Sequence, residues 1–393
     1  MKIGICVRAI QTDGNSSTAF VLADTLLDEG HEVTLLSPIP GAAAAKAPGR
    51  RWAFIDIGQQ RWESEAALVR RLGRTFVEQK FDVLMVLTGL PTPMLEEAYR
   101  LLPASTALVP VVLGDREHVY LPAERTARLW NVLVTISPGL QREMERRVLG
   151  RPVRMLTHAI DLPDPALVAN RANLGSPLRL ISVGRLFGRK NVLVMPPILA
   201  ECGRRGVDVT LTIVGEGPDR GPLEAAAQEL GVRDRITFRS IPTQAELYQS
   251  LREHHGLLWT AGQGEGLGLV LLEAQANGCV PVATKLPGIS DYAVEEGVTG
   301  LLAPEGDAAA FAEQLVALAD AGRWKSLSAA GIERTRRLFS RDVMAGELAT
   351  LLDQIHAGRF PLPAARRTTP RPRFSWRAHV PPALRRYIKR LPF

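Results

Sequence analysis

The chain is poor in cysteine, in long apolar runs and, over its final stretch, in acid. Only three cysteines occur among 393 residues, Cys6, Cys202 and Cys279, with no metal-ligand spacing between them. That excludes a disulfide framework and suits a reducing compartment, and small buried hydrophobes are the reading that fits these side chains. No apolar run approaches the ~20 residues that a membrane span requires. The richest, Val83 to Leu90, is interrupted by Gly89 and followed by Pro91 and Pro93. A first strand expected from Lys2 leaves no room for a signal peptide, so the expected location is cytoplasmic or at the inner membrane face. No Asp-x-Asp stands in a strand-and-loop setting, and no His/Cys cluster has ligand spacing. No metal and no resident cofactor are therefore expected.

Acid is missing from residues 358–393, which hold ten Lys or Arg and no Asp or Glu. With those ten set aside, 38 of the 48 basic residues remain against 41 acidic ones, so the body is slightly acidic. The net charge of +7 describes the tail and does not make the body a nucleic-acid binder. Seven prolines add to the tail's inability to form a core. Its last piece, Ala383 to Leu391, reads as a short basic amphipathic helix suited to anionic lipid, or as part of a disordered or partner-binding tail.

What is present is an alternation of strand and helix patterns long enough for two domains. Lys2–Arg8 is an apolar strand, Thr18–Glu29 an amphipathic helix closed by Gly30, and His31–Leu36 the next strand, together a βαβ unit. Further strands are expected at Ala53–Ile57, Phe81–Thr88, Thr106–Leu113, Val132–Ile136 and Val153–Thr157. Helices are clearest at Glu63–Glu78 and Gly139–Val148. These make a first doubly wound domain over residues 1–160. Residues 161–177, rich in proline and polar side chains, read as a linker. A second domain follows over residues 178–340, with strands at Leu178–Val183, Val209–Val214, Ile236–Ser240, Gly256–Thr260, Val280–Thr284 and Leu301–Ala303. Thr243 and Glu246 form a capping box. A last helix is expected over about 341–357 with Ser340 as its N-cap.

The stretch that organises the chain is Gly262 to Gly278. Gly264, Gly266 and Gly268 surround Glu265 and mark a loop whose backbone lies close to something. A helix follows, with Gly278 placed to stop it, and its N-terminus favours anions. Glu265 stands before that helix and Glu273 within it, about 10 Å apart at ~1.5 Å per residue. A nucleoside diphosphate sugar has polar groups at both ends and a charged middle that match this spacing. Beyond the first strand of the second domain, Arg185 and Lys190 bracket a turn, well placed to clamp a diphosphate. In the first domain Gly14 lies on a loop beyond a strand's carboxyl end, where ligands of such sheets bind; it is a ligand contact or a plain turn glycine. Gly215 and Gly217 begin a Gly-x-Gly-x-x pattern whose third glycine position holds Arg220, a poor dinucleotide fingerprint.

Glu265, seven intervening residues and Glu273, in this glycine context, resemble the paired-glutamate motif of the family 4 glycosyltransferases. The likeness continues through Val280-Pro281-Val282 to Gly288 and through Gly297–Leu302, and extends over most of residues 2–357. It implies the GT-B fold, two Rossmann-like doubly wound domains facing across a cleft, with the last helix crossing back to the first. It also implies metal-independent transfer, with retention of configuration, of a hexose-type sugar from a nucleotide sugar to an acceptor hydroxyl on a glycan or lipid-linked acceptor. By this resemblance Arg185 and Lys190 hold the diphosphate, Glu265 binds hydroxyls of the donor sugar and Glu273 the ribose. Gly184, Gly266, Leu267, Gly268 and Leu269 join them at the donor, while Gly215, Gly217 and Ile241 border the base. Three positions depart from the family pattern. Asp13 precedes Gly14 where two glycines are usual, and His158-Ala159 replaces Asn-Gly. Gly114 stands where a histidine that positions the sugar is usual, with His118 slightly late, a substitute for it or an ordinary surface residue. These departures keep open a binding or scaffolding relative that does not turn over; a nicotinamide-dependent dehydrogenase is the further alternative. The base, the sugar, the acceptor and the oligomeric state are not encoded legibly.

Overall fold

Runs of buried β-branched and aliphatic residues alternate with amphipathic helices throughout, the pattern of parallel sheets covered on both faces. The computed structural model of the protein describes residues 1–7, 14–37, 51–58, 63–87, 92–241 and 243–367. Asp13 and the segment 368–393, including the basic piece 383–391, lie outside the described residues. The chain divides into two units, Met1–His158 with Met344–Phe393, and Ala159–Val343.

The first unit contains β1 (Lys2–Cys6), α1 (Gly14–Asp28), β2 (Glu32–Ser37), β3 (Ala53–Asp56), α2 (Glu65–Gln79), β4 (Val83–Leu87) and α3 (Thr92–Arg100). It continues with β5 (Ala107–Val112), α4 (Glu117–Arg125), β6 (Leu133–Thr135), α5 (Pro138–Arg147) and β7 (Val153–Met155). Its parallel sheet runs β3-β2-β1-β4-β5-β6-β7. β4 and β5 are buried along their whole length, which explains their lack of apolar–polar alternation. In α2, Leu68, Val69, Leu72 and Phe76 recur at helical spacing and face the core, and Ser64 caps the N-terminus by accepting the Ala67 N–H at 3.2 Å.

The second unit contains α6 (Pro165–Ala169), β8 (Leu178–Val183), α7 (Met195–Arg204), β9 (Val209–Val214), α8 (Arg220–Glu229), β10 (Ile236–Arg239), α9 (Gln244–Glu253) and β11 (Gly256–Trp259). It goes on through α10 (Leu269–Ala276), β12 (Val280–Thr284), α11 (Ser290–Ala293), β13 (Leu301–Ala303), α12 (Ala308–Leu318) and α13 (Ala321–Leu338). The parallel sheet runs β10-β9-β8-β11-β12-β13. Leu180, Leu211, Ile213, Leu258 and Val282 meet Ile198, Leu199, Phe311 and Leu315 in its core. The capping box of Thr243 and Glu246 is formed in full.

Two segments differ from what composition suggests. Residues 161–177 are bound into the second unit: they hold α6, capped by Asp164, the Ala172 N–H donates to the Arg252 carbonyl at 2.9 Å, and the Asn173 carbonyl meets His255 Nε2 at 2.9 Å. The basic tail read from Gly358 onward begins as a docked segment. After α14 (Arg341–His356), Phe360 is buried and its carbonyl accepts from Asn131 Nδ2 at 3.0 Å. In α15 (Ala364–Arg367), Arg366 is buried and donates to the carbonyls of Pro103 at 2.6 Å and Thr106 at 2.9 Å. Burial without a carboxylate partner among the described residues lowers the Arg366 guanidinium to about 10. α14 is tied to the first unit by Glu347, whose carboxylate accepts the Thr157 N–H at 2.6 Å and hydroxyl at 2.9 Å. Ser340, expected as the N-cap of α14, lies 3.4 Å from the Val343 N–H. All three cysteines are free and buried.

Candidate functional site

In the second sheet the strand order reverses between β8 and β11. Loops leaving the carboxyl ends of two such neighbours run to opposite sides, and the crevice between them is where doubly wound sheets bind ligands. The loop after β8 holds Gly184, Arg185 and Lys190. The loop after β11 holds Glu265, Gly266, Leu267 and Gly268 and leads into α10 at Leu269. The two stretches singled out in the sequence are thus brought together by topology.

Backbone contacts fix the first loop against the turn after β9. The Gly184 N–H donates to the Val214 carbonyl at 2.9 Å, and the Leu186 N–H to the Glu216 carbonyl at 3.0 Å. A Cβ on Gly215, at φ +150°, would sit 1.9 Å from the Gly184 oxygen; one on Gly217 would sit 2.0 Å from the Leu186 oxygen. Close approach of the chain to itself therefore demands both glycines.

The two loops are also stitched to each other. The Gly262 N–H donates to the Arg189 carbonyl at 2.8 Å, and the Thr260 hydroxyl to the Lys190 carbonyl at 3.0 Å. These bonds set the distance between the cations of one loop and the carboxylate of the other. Lys190 Nζ lies 3.1 Å from Glu265 Oε1, and Arg189 Nη1 donates to that same oxygen. Glu265 is only 8% exposed, so it is a buried carboxylate that needs these partners. Among the described residues no hydrogen bond reaches its Oε2. Phe187 lies beneath two guanidinium groups, with Arg185 and Arg189 each 5.0 Å from its ring centroid. Arg185 is exposed and makes no ion pair among the described residues. Arg189 carries no signal in the sequence that separates it from a solvated surface cation; only its contact with Glu265 identifies it.

α10 starts after Gly268, whose φ of +78° turns the chain and which supplies no side chain to cap the helix. The Leu271 N–H turns back to the Gly268 carbonyl at 2.8 Å, and among the described residues the Leu269 and Val270 amides at the positive end have no acceptor. Glu273, one turn further, is half-buried and accepts from Gln244 Nε2 at 2.9 Å. Burial pushes its carboxyl up to about 7, the Gln244 hydrogen bond opposes this, and the Asp161 charge adds to it. Ile241 is half-buried after β10. Among the described residues no cluster of three or more His, Cys, Asp or Glu could hold a metal ion.

In the first unit, Gly14 is the first residue of α1. His158, the residue that replaces the expected asparagine, is buried with Nε2 2.8 Å from Thr18 Oγ1 on that helix. His118 is exposed in the first turn of α4. Beside it Tyr120, not anticipated from sequence, donates to Asp115 Oδ1 at 2.7 Å, and burial followed by this bond raises its phenol.

Two doubly wound α/β units, with a cation and carboxylate site at the switch point of the second, define the GT-B class of glycosyltransferase folds. The chain matches over 90% of its length the crystal structure of Anabaena Alr3699/HepE in complex with UDP and glucose, covering 99% of that chain at a TM-score of 0.75 and 17% identity. It matches sucrose-phosphate synthase from Thermosynechococcus elongatus over 91% of its length and 99% of that chain, at a TM-score of 0.75 and 18% identity. Residues 169–333 match the family model of glycosyl transferases group 1. Among curated relatives, a GDP-mannose-dependent alpha-(1-6)-phosphatidylinositol monomannoside mannosyltransferase of Mycobacterium tuberculosis is 34% identical over 214 residues, 50% of this chain and 54% of the relative. A putative colanic acid biosynthesis glycosyltransferase, WcaL, of Salmonella typhimurium is 30% identical over 188 residues, 46% of each chain. The chain spans about half the length of the curated relatives it matches. Among the described residues no helix is long and apolar enough to cross a membrane.

Proposed function

We propose that the protein transfers a hexose-type sugar from a nucleoside diphosphate sugar to a hydroxyl acceptor, with retention of configuration and without a divalent metal, in the assembly of a polysaccharide or glycolipid. The observation that carries this reading is the convergence of Arg185, Lys190 and the leading end of α10 on the crevice beyond β8 and β11, with Glu265, held by Arg189, among them. Departure of a diphosphate is the difficult event, and fixed positive partners that need no reorganisation lower its barrier. In this reading Glu265 receives sugar hydroxyls through Oε2, Glu273 receives the ribose diol, and Gly184, Gly215, Gly217, Ile241 and Gly266–Leu269 shape the donor cavity. His118, Asp115 and Gly14 belong to the acceptor side. The names of the relatives and neighbours point to GDP-mannose and UDP-glucose as first donors to try, with a phosphatidylinositol monomannoside as a first acceptor.

A panel of UDP, GDP, ADP and their sugars tests the reading by thermal shift, followed by assay of sugar transfer and donor hydrolysis. Stabilisation by one nucleotide series together with release of that diphosphate supports it. Stabilisation by NAD(P) with none by any nucleotide sugar contradicts it. A second reading, donor binding without turnover, is favoured by His158, whose ring is spent on Thr18. Tight donor binding with neither transfer nor hydrolysis would select it.

A further inference from the structure

We infer that Arg189 is a positioning residue that keeps hold of Glu265 when Lys190 turns from that carboxylate to a diphosphate; this rests on the donor-site reading above. The lysine and the arginine now share one oxygen, Glu265 Oε1. Glu265 is thus a built-in anion seated among the cations that the diphosphate needs. When the diphosphate arrives, one cation must leave the carboxylate and one must stay. Were both to leave, a buried carboxylate would stand beside a multiply charged anion with no partner, a costly arrangement.

The geometry decides which cation stays. Arg189 is anchored three times: its carbonyl accepts the Gly262 N–H of the Glu265 loop, its guanidinium lies over Phe187, and it donates to Glu265. A planar guanidinium stacked on a ring suits a fixed carboxylate. Lys190 carries a compact charge on a flexible stem that can swing from one acceptor to another. Arg185, without a carboxylate partner among the described residues, completes the anion site with Lys190. Removing Arg189 then weakens diphosphate binding indirectly, because Glu265 claims Lys190 for itself.

The test is a cycle of four full-length proteins, wild type, Arg189→Gln, Glu265→Gln and the double variant, titrated calorimetrically with inorganic pyrophosphate and with UDP and GDP. Arg189→Lys serves as the conservative control. The expected result is a ~5–10-fold loss of pyrophosphate affinity in Arg189→Gln, of the size found for coupled charge pairs. Glu265→Gln should bind as tightly as wild type or more tightly. The double variant should recover the lost affinity, and Arg189→Lys should retain most of it. A double variant as weak as Arg189→Gln would make Arg189 a direct phosphate ligand and overturn the inference. So would unchanged affinity in Arg189→Gln, or no pyrophosphate binding by any form. The cycle needs no sugar transfer, so pyrophosphate recovery in a protein that transfers no sugar would uphold the inference while the activity reading failed.

Discussion

At the residue scale the site is an argument about charge. Lys190 meets Glu265 at 3.1 Å and carries the charge that a departing diphosphate would need. Lys190→Ala should lower sugar transfer by ~10²–10³-fold, the range for loss of one preorganised charge-stabilising group, with a circular dichroism spectrum like that of wild type. Activity within about twofold of wild type would remove Lys190 from the chemistry. Glu273 makes a prediction of its own. Its carboxyl is raised to about 7 from the usual 4.5, so the folded protein keeps a proton that the unfolded chain has lost between those values. Stability therefore falls as pH rises from 4.5 towards 7 and levels off above. Glu273→Gln should raise the melting temperature at pH 8 and leave it unchanged at pH 4.5; equal shifts at both would contradict the assignment.

The same scale shows what the sequence could and could not convey. Two cations at a fixed spacing after a strand, and a glutamate among glycines, are legible because doubly wound sheets place such loops at one edge. The tie between Arg189 and Glu265 joins residues 76 apart in sequence, and nothing local to Arg189 announces it. Gly215 and Gly217 were legible as glycines needed for close approach. Their neighbour in the free protein is the chain itself, which no local pattern distinguishes from a bound base.

At the scale of elements, the loops after β8 and β9 behave as one piece. Gly215→Ala would drive a methyl to 1.9 Å from the Gly184 oxygen. This should destabilise the second unit by about 2–4 kcal/mol and loosen the Arg185–Lys190 turn, read as a fall in melting temperature. Gly221→Ala, where a Cβ meets nothing within 4 Å, is the matched control and should be near neutral. Equal melting temperatures for the two variants would show that the backbone approach is not rigid. The strand and helix order was legible because full burial removes alternation and amphipathy marks the helices. α4 was not anticipated, since the pattern that opens it, Asp115 to His118, is as polar as a loop.

At the scale of the molecule, composition misplaces the boundary between body and tail. Ten cations and seven prolines argue for a solvated segment, and Arg366 contradicts this because backbone carbonyls replace the water it loses. The form ending at Arg367 gives the reference melting temperature. Truncation after Gly358, which also removes Phe360, should lower it by several degrees, consistent with ~1–3 kcal/mol in a chain of this size. Identical melting temperatures would contradict the docking. Vesicles containing anionic lipid, sedimented with full-length protein and with the form ending at Arg367, test the membrane role proposed for the last residues; equal binding removes it.

The central claim is that the crevice between the β8 and β11 loops is built for a diphosphate. Calorimetric titration of wild type and Lys190→Ala with UDP and GDP beside UMP and GMP tests it most directly. One diphosphate should bind wild type at least ~10-fold more tightly than its monophosphate, as charge-assisted contacts to the second phosphate require, and Lys190→Ala should erase that margin. Equal affinity for mono- and diphosphates in wild type, or a margin that survives in Lys190→Ala, would contradict the account.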